Sequence, residues 1–247
     1  MLFCGTAYAQ TETLNWYMDG NVYATTQCES GNDILLPTTP TKRGYTFKGW
    51  AEYQPIEYLE STGTQYIDTG LKTNGSDRFV SYWYSIIDTG NYTLYGGSNG
   101  SIDSGERAIF WNKGNRIEVA TPTSPSSGTV SPTFYNIWYT DRDYVIDDNL
   151  SYIKINDTIA NRNVSAAFQS KYNFQIFDFT RNGYSRLVPS TVRLKQFQWY
   201  RNDTLIRDFV PALDSAGTPC MFDKVEHKFY YNAGTGQFIA GPIIGAE

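Results

Sequence analysis

The amino-acid sequence predicts an all-β protein built from antiparallel strands. The chain of 247 residues carries 20 Tyr, 14 Phe and 6 Trp, and aromatic residues favour strands. Its 21 Gly and 10 Pro are spread along the whole chain, which indicates many turns. No long run of Ala, Leu, Glu and Lys has a helical period. A chain of this length holds one large domain or two smaller ones, each with its own core.

The first ten residues, MLFCGTAYAQ, carry features of an export signal. Ala7 and Ala9 form the small-x-small pattern that signal peptidase recognises, and Leu2 and Phe3 match the end of an apolar segment. The basic part of such a signal and most of its apolar part are missing. We therefore interpret residues 1–10 as the remnant of a truncated export signal, with an ordinary chain terminus as the alternative. A secreted, periplasmic or cell-surface location follows from this interpretation.

Residues 11–53 form the first predicted domain. Two short alternating runs flank Asp-Gly-Asn at residues 19–21, which predicts a hairpin. The phrase LPTTPTKRGYTFKGW at residues 36–50 then joins a Pro-rich turn to three large aromatic residues. It resembles the internalin-type B repeat, in which a Pro-rich turn precedes G-Y-T-F-x-G-W. The resemblance implies a small β-grasp-like module of a bacterial surface protein, present here in one copy.

Residues 54–247 form the second predicted domain. Turn sequences such as Asn74-Gly75 recur at short intervals, and strand-like runs lie between them. The clearest runs are RFVSYWYSII (78–87), KYNFQIFDF (171–179) and STVRLKQFQWY (190–200). Many short strands separated by frequent turns indicate a sandwich or a barrel.

Two similar phrases open and close this second domain. They are IEYLESTGTQYIDTG at residues 56–70 and YYNAGTGQFIAG at residues 230–241. With the alternating strands between them, they resemble the concanavalin A-like, laminin-G-like jelly roll of bacterial and phage surface proteins. The resemblance implies an antiparallel jelly-roll sandwich whose first and last strands lie side by side. We expect Gln65–Thr69 to lie beside Gln237–Ala240.

Charge and hydropathy argue against two classes of partner. The net charge is −5 and no basic stripe exists to neutralise a phosphate backbone, so no nucleic-acid partner is expected. No apolar run of about 18 residues is present, so no transmembrane segment is expected. A glycan or a surface protein is the expected partner, and the sequence leaves the oligomeric state open.

Motifs for catalysis are missing from the sequence. The single histidine, His227, stands beside Lys and Glu as surface histidines do, without the partners of a catalytic triad. The patterns HExxH, G-x-S-x-G and the Walker loop are absent. The alternating E-x-D-x-E pattern, typical of jelly-roll glycosidases, is also absent. We therefore expect a protein that is not an enzyme, with a glycoside hydrolase as the least favoured class.

One acidic run could bind calcium. Asp141, Asp143 and Asp147 in DRDYVIDDN supply oxygens, and Ca²⁺ takes about six to eight of them. An acidic turn between strands is the alternative, because the spacing of an EF-hand loop is missing. No other cofactor is expected. Cys28 and Cys220 lie far apart in the sequence, and two separate thiols are favoured over a disulfide between them.

The predicted ligand-binding residues are Trp83, Asn173, Gln175 and Asp178. Sugar recognition needs an exposed aromatic ring together with amide and carboxylate groups that bond hydroxyls. The even-numbered residues of RFVSYWYSII form its more apolar row, which puts Trp83 on the opposite, outer row. A core position is the alternative for Trp83. Two further tryptophans, Trp111 and Trp138, are reserve candidates.

The strand KYNFQIFDF breaks its own alternation. Asn173 and Gln175 occupy its polar row, but Phe177 follows Ile176 directly and falls on that same row. A β-bulge near Ile176 would restore the phase and turn Asp178 outward. The alternative is a strand end that is buried on both faces.

These patterns together predict an exported, non-enzymatic protein that recognises a glycan or another cell-surface ligand through its second domain. A structural component of a bacterial envelope or a phage virion, making only protein–protein contacts, is the alternative. Fold-level resemblance does not decide between the two, because one fold supports many functions.

Overall fold

The computed structural model describes residues 11–18, 21–29, 32–47, 49–50, 52–86, 92–98, 106–112, 115–125, 127–181, 184–185 and 191–244. Within these ranges every regular element is a β-strand, so the predicted all-β class is confirmed. The chain divides into two compact units, with the boundary between Glu52 and Tyr53. The prediction of an export-signal remnant at residues 1–10 lies outside the described residues.

The first unit is a hairpin with an aromatic cover. Strands β1 (Thr11–Met18) and β2 (Asn21–Glu29) pair antiparallel on either side of the predicted turn. The side chain of Trp16 is buried, and the ring of Trp50 meets it edge-on at 5.1 Å between ring centres. Phe47 packs edge-on against Trp50 at 5.2 Å. In the described part of this unit the regular elements are strands, and no helix is present there.

The second unit contains all other strands of the described chain. In chain order they are β3 (Gln54–Pro55), β4 (Leu59–Thr62), β5 (Ile67–Asp68), β6 (Asp77–Ser85), β7 (Tyr92–Ser98), β8 (Glu106–Asn112), β9 (Arg116–Pro122), β10 (Gly128–Phe134), β11 (Arg142–Asp148), β12 (Tyr152–Ile155), β13 (Thr158–Asn161), β14 (Gln175–Ile176), β15 (Thr180–Arg181), β16 (Tyr184–Ser185), β17 (Thr191–Arg201), β18 (Thr204–Leu213), β19 (Pro219–Asp223), β20 (Lys228–Tyr230) and β21 (Ile239–Ala240).

Most of these strands form two antiparallel sheets. The smaller sheet has the order β10-β9-β8-β7-β14-β5. The larger sheet follows the path β13-β12-β11-β6-β17-β18-β19-β20, with β4 beside β17, β21 beside β4, and β3 beside β18. Strands β15 and β16 form a separate hairpin. The predicted antiparallel sandwich is therefore confirmed.

The core between the two sheets is largely aromatic. Phe79 on β6 of the larger sheet stacks against Phe174, which precedes β14 of the smaller sheet, at 4.4 Å between ring centres. Tyr95 on β7 meets Phe197 on β17 edge-on at 5.2 Å. Each fully buried large apolar side chain contributes about 1.5–3 kcal/mol to folding, so these ring contacts are the main interactions that join the sheets.

The two similar phrases near the ends of the second unit lie side by side, as expected. The expected placement of Gln65–Thr69 beside Gln237–Ala240 is wrong, because β21 pairs with β4 through Ile239↔Glu60 and Ala240↔Leu59. The segment that contains Gln65 lies beside the closing phrase one turn earlier, where the Tyr66 carbonyl accepts the Ala233 N–H at 2.9 Å.

A glycine in each phrase makes this close approach possible. Gly63 has φ +110° and turns the chain away from β4, so that β5 joins the smaller sheet instead of pairing with β21. Gly234 lies so close to Thr64 that a Cβ atom on it would be 1.9 Å from the Thr64 carbonyl oxygen. The shared Gly-containing phrases thus reflect two turns packed against each other.

Candidate functional site

The structure places Trp83 in the core, so the prediction that it lies on the outer face is wrong. Its side chain is 0% exposed and packs edge-on against Phe177 at 5.3 Å. The two rows of β6 are therefore assigned the wrong way round by the sequence. The inner row alternates two large rings with Ser81 and Ser85, whose small side chains leave space for rings of the opposite sheet. The reserve candidate Trp138 is also buried, whereas the side chain of Trp111 lies outside the described residues.

The remaining predicted binding residues lie on one segment but do not form a surface. Gln175 and Asp178 are buried, and the turn of Asp178 toward solvent does not occur. Strand β14 ends at Ile176, and Phe177 adopts φ +72°, which sends consecutive side chains into the interior. The alternative of a strand end buried on both faces is confirmed. Asn173 is half-buried and donates its amide N–H to a carboxylate oxygen of Asp68 at 3.0 Å.

The calcium candidates are distributed along β11 and the residue before it, and they do not converge. Asp143 and Asp147 lie four residues apart on one strand, which separates their Cα atoms by about 13 Å. Asp143 pairs with Lys195 at 2.5 Å, and Asp141 accepts a hydrogen bond from the hydroxyl of Tyr84 at 3.3 Å. No group of three or more His, Cys, Asp or Glu within the described ranges is arranged to hold a metal ion.

The cysteines and the histidine occupy structural positions. Cys28 in the first unit and Cys220 in the second are buried and free, so the prediction of two separate thiols is confirmed. Burial raises the pKa of the Cys220 thiol to about 12, which makes it unreactive at neutral pH. His227 is exposed in the turn between β19 and β20, with φ +54°.

The outer face of the larger sheet carries a group of tyrosines that sequence reasoning assigned to the core. We name it the tyrosine face and define it by Tyr82, Tyr84, Tyr200, Gln196 and Gln198. Tyr82 is 37% exposed and lies in register with Gln196 on β17. The alternation of β6 in the sequence already groups Tyr82 and Tyr84 in one row, and this row could have been predicted to face solvent.

Ion pairs hold the edges of the tyrosine face. The Arg193 guanidinium donates to Glu60 at 2.8 Å. The same guanidinium lies 4.2 Å from the ring centre of Tyr58 and 5.5 Å from that of Tyr84. The pair is partly buried, with Glu60 only 8% exposed, and it restricts the orientation of the two rings.

The polar groups of the tyrosine face can both donate and accept hydrogen bonds. The Gln196 amide donates to Asp208 at 2.7 Å, and the Tyr200 hydroxyl donates to the Gln198 carbonyl oxygen at 3.2 Å. Both glutamines keep further hydrogen-bonding capacity. The exposed ring of Tyr82 and the half-buried rings of Tyr84 and Tyr200 lie beside carboxamides, a combination that suits ligands with apolar ring faces and hydroxyl edges.

The carboxylates of this face are not spaced for glycoside hydrolysis. Asp143 and Glu60 lie on one cross-strand row, separated by Tyr84 and Arg193. Three inter-strand spacings put their backbones about 14 Å apart. Glycosidases need carboxyl groups about 5–9.5 Å apart, so this row lacks an acid–base pair at working distance.

Beside the tyrosine face, at one end of the larger sheet, three turns line an open cavity of about 260 Å³. The turns precede β6, follow β11, and join β17 to β18. We name this cavity the end pocket and define it by its lining residues Ser76, Arg78, Asn149, Leu150, Asn202 and Asp203.

A family model described as the Listeria-Bacteroides repeat domain matches residues 13–76. The match begins in β1 and ends one residue before β6, so it covers the first unit and the start of the second. This is a repeat of surface proteins, which is consistent with a cell-surface or extracellular protein. No curated protein matches the chain. No helix within the described ranges is long and apolar enough to cross a membrane.

Proposed function

We propose that this chain is an exported, non-enzymatic binding protein that recognises a glycan or another cell-surface ligand through the tyrosine face. The observation that carries the proposal is Tyr82, whose exposed ring lies between Val145 and Gln196 on the outer face of the larger sheet. In this proposal the second unit is the recognition domain, with the jelly-roll architecture of concanavalin A-like proteins. The first unit acts as a surface-protein spacer.

The chemistry of the tyrosine face supports recognition. Tyr82 and Val145 are each more than one-third exposed and lie in register, so they form a small apolar strip in water. Tyrosine supplies a large contact area at low conformational cost, because its side chain has only two rotatable angles. The neighbouring carboxamides supply directional bonds. Together these groups fit a ring with one apolar face and several hydroxyls.

Two features favour binding over catalysis. The carboxylates at the edges of the face, Glu60 and Asp143, are each engaged by a cation, Arg193 and Lys195 respectively. Both carboxylates are thus occupied by ion pairs within the protein. The wide separation of these groups also argues against a hydrolase.

One observation favours the alternative function, a structural component that makes only protein–protein contacts. In the first unit Leu35 is 78% exposed, and Leu36 and Val22 are each more than half exposed. Exposed apolar groups of this size are typical of protein interfaces when they are contiguous. This alternative assigns the recognition role to the first unit.

An unbiased glycan array tests the proposal, with the full chain as the probe. We expect binding to a limited set of glycans, and we expect Tyr82→Ala to weaken it at least tenfold. Tyr135→Ala is the matched control, because Tyr135 is 69% exposed and lies outside the tyrosine face. An array without any bound glycan, or equal loss in both variants, would contradict the proposal and favour the structural alternative.

A further inference from the structure

The end pocket is formed by turns that the fold holds in fixed positions. The main-chain N–H of Asn202 donates to the Ser76 carbonyl at 3.2 Å, which joins two of the three turns directly. The Ser76 hydroxyl is held by the Asn74 side chain at 2.8 Å. The third turn is held by Arg162, whose guanidinium donates two hydrogen bonds to the Asn149 carbonyl, at 2.9 and 2.7 Å.

A buried ionic network lies beneath these turns. Arg107 and Arg162 both donate to the carboxylate of Asp148, and all three side chains are almost completely buried. Arg107 also donates to the Asn74 carbonyl at 3.3 Å. Burial lowers the pKa of both arginines, as expected for charges removed from water.

Such a network stabilises a fold inefficiently, because removing three charged groups from water costs free energy. Apolar side chains of similar volume often stabilise a protein as well or better than a buried ion pair. Here the network contacts the backbone of two pocket-forming turns, at Asn74 and Asn149. The network holds these two turns in place, and the Asn202–Ser76 hydrogen bond joins the remaining turn to them. A site held in place before binding loses less entropy when it binds a ligand.

The side chains around the end pocket retain unused hydrogen-bonding groups. Asn202 and Asp203 adopt φ +49° and +61°, so the turn is left-handed at both positions. Neither side chain has a partner among the residues that the structure describes. Asp147 engages Nε and Nη2 of Arg78, at 2.7 and 2.8 Å, and leaves Nη1 available.

The charges of the end pocket indicate the class of ligand. The positive charge of Arg78 is balanced by Asp147, so Asp203 gives the pocket a small negative excess. This excess disfavours an acidic ligand, and the N–H groups of Arg78 Nη1 can donate to the hydroxyls of a neutral one. Two carboxamides, a hydroxyl and a carboxylate remain, and together they suit a neutral ligand with several hydroxyls.

The end pocket is continuous with the tyrosine face. Arg78 lines the pocket, and its guanidinium lies 5.5 Å from the ring centre of Tyr200. Along β6, Arg78 and Tyr82 are four residues apart, or about 13 Å. A single small ligand does not span that distance, but a chain of linked units does.

We propose that the end pocket receives the terminal neutral sugar unit of a glycan whose following units lie along the tyrosine face. The inference rests on the proposed function and adds to it which unit of the glycan is bound in the end pocket and what charge that unit carries. The unit bound there is neutral and is not a uronic acid or another acidic sugar.

The test uses the full chain with ¹⁵N-labelled asparagine, followed by NMR of the side-chain amides. The probes are galactose, mannose and N-acetylglucosamine, with glucuronic acid as the acidic comparison. We expect saturable shifts of the Asn149 and Asn202 amide signals with at least one neutral sugar. We expect no shift with glucuronic acid.

Asn202→Gly removes the side chain without backbone strain, because glycine accepts φ +49°. We expect the Asn149 shifts to require at least tenfold more sugar in this variant. Asn136→Gly is the matched control, since Asn136 is an exposed turn residue with φ +53° outside the pocket. It should bind like the unaltered chain.

The outcomes separate this inference from the proposed function. If neutral sugars leave both pocket amides unchanged while the glycan array shows binding that Tyr82→Ala weakens, the end pocket is not a sugar site and the proposed function stands. If glucuronic acid shifts the amides as strongly as the neutral sugars, the charge argument is overturned. If no probe shifts an amide and the array is empty, both proposals fail.

Discussion

Replacement of Trp83 by alanine tests the orientation of β6, on which the assignment of the tyrosine face depends. Trp83 is fully buried between the sheets, where it packs against Phe177 and Tyr95. Its neighbour Tyr82 points the other way and is 37% exposed. The two adjacent positions therefore form a matched pair on one strand, with one side chain inside the sandwich and the other in water.

The expected magnitudes differ clearly. Truncation of a buried tryptophan costs about 3–5 kcal/mol, whereas a surface substitution away from special features costs within about 0.5 kcal/mol. For a domain of about 150–250 residues each kcal/mol lowers the melting temperature by about 2–4 °C, so Trp83→Ala should lower it by roughly 6–20 °C. Tyr82→Ala should shift it by a few degrees at most.

Urea denaturation followed by circular dichroism measures both variants. The midpoint should fall for Trp83→Ala with little change in the slope, because the surface exposed on unfolding is nearly the same. If Tyr82→Ala loses more stability than Trp83→Ala, the rows of β6 face the other way. In that case Trp83 returns as a surface residue and the tyrosine face is not a surface.

Three further predictions follow from contacts in the second unit. Asp148→Asn removes the charge that two buried arginines share, and it should lower the free energy of unfolding measured by urea denaturation by about 3–5 kcal/mol. Amide hydrogen exchange in the turn after β11 should also become faster. Unchanged exchange there would contradict the anchoring of the end pocket. Deletion of residues 237–247 removes β21 and the buried ring of Phe238, and should abolish the cooperative melting of the second unit; an unchanged melting curve would contradict the pairing of β21 with β4. Burial raises the pKa of Cys220 and Tyr230 to about 12, so these groups keep their protons in the folded state after the unfolded chain has lost them near pH 8.5–10. Stability should therefore fall as pH rises from about 9 to 12, and a constant urea midpoint over that range would refute the assignment.

The sequence predicted the class of the fold because strand and turn signals are local. Alternation, the hairpin at residues 19–21 and the recurrent turns each require only a few neighbouring residues. The closeness of the two ends was also predicted, from the likeness of their phrases. Its register was not, because the pairing of β21 depends on the turn at Gly63 and on which sheet β5 joins.

The orientation of β6 could not be predicted from its local alternation alone. A period of two separates a strand into two rows but does not say which row is inside. The row with more apolar residues contains Tyr82 and Tyr84, whose hydroxyl groups favour contact with water. The inner row contains Trp83 with two serines. The small serine side chains fit the core because rings of the smaller sheet fill the space next to them.

The end pocket could not be predicted from sequence because its parts come from distant segments. Arg107, Asp148 and Arg162 lie on different strands and loops, and no spacing in the chain relates them. The break in alternation at Phe177 was visible in the sequence. Its cause, a single left-handed residue, was not, because non-glycine residues adopt that conformation only when tertiary packing requires it.

The neighbouring ends of the second unit determine how it responds to mechanical load. Ile56 forms a bridge with Ile243, so the chain enters and leaves the sandwich at the same corner. A pull between these two points would break the hydrogen bonds of the antiparallel ends one after another, as in unzipping, instead of shearing them all at once. Tension that acts through both ends would detach β21 first and expose the ring of Phe238, while the rest of the sandwich is still folded.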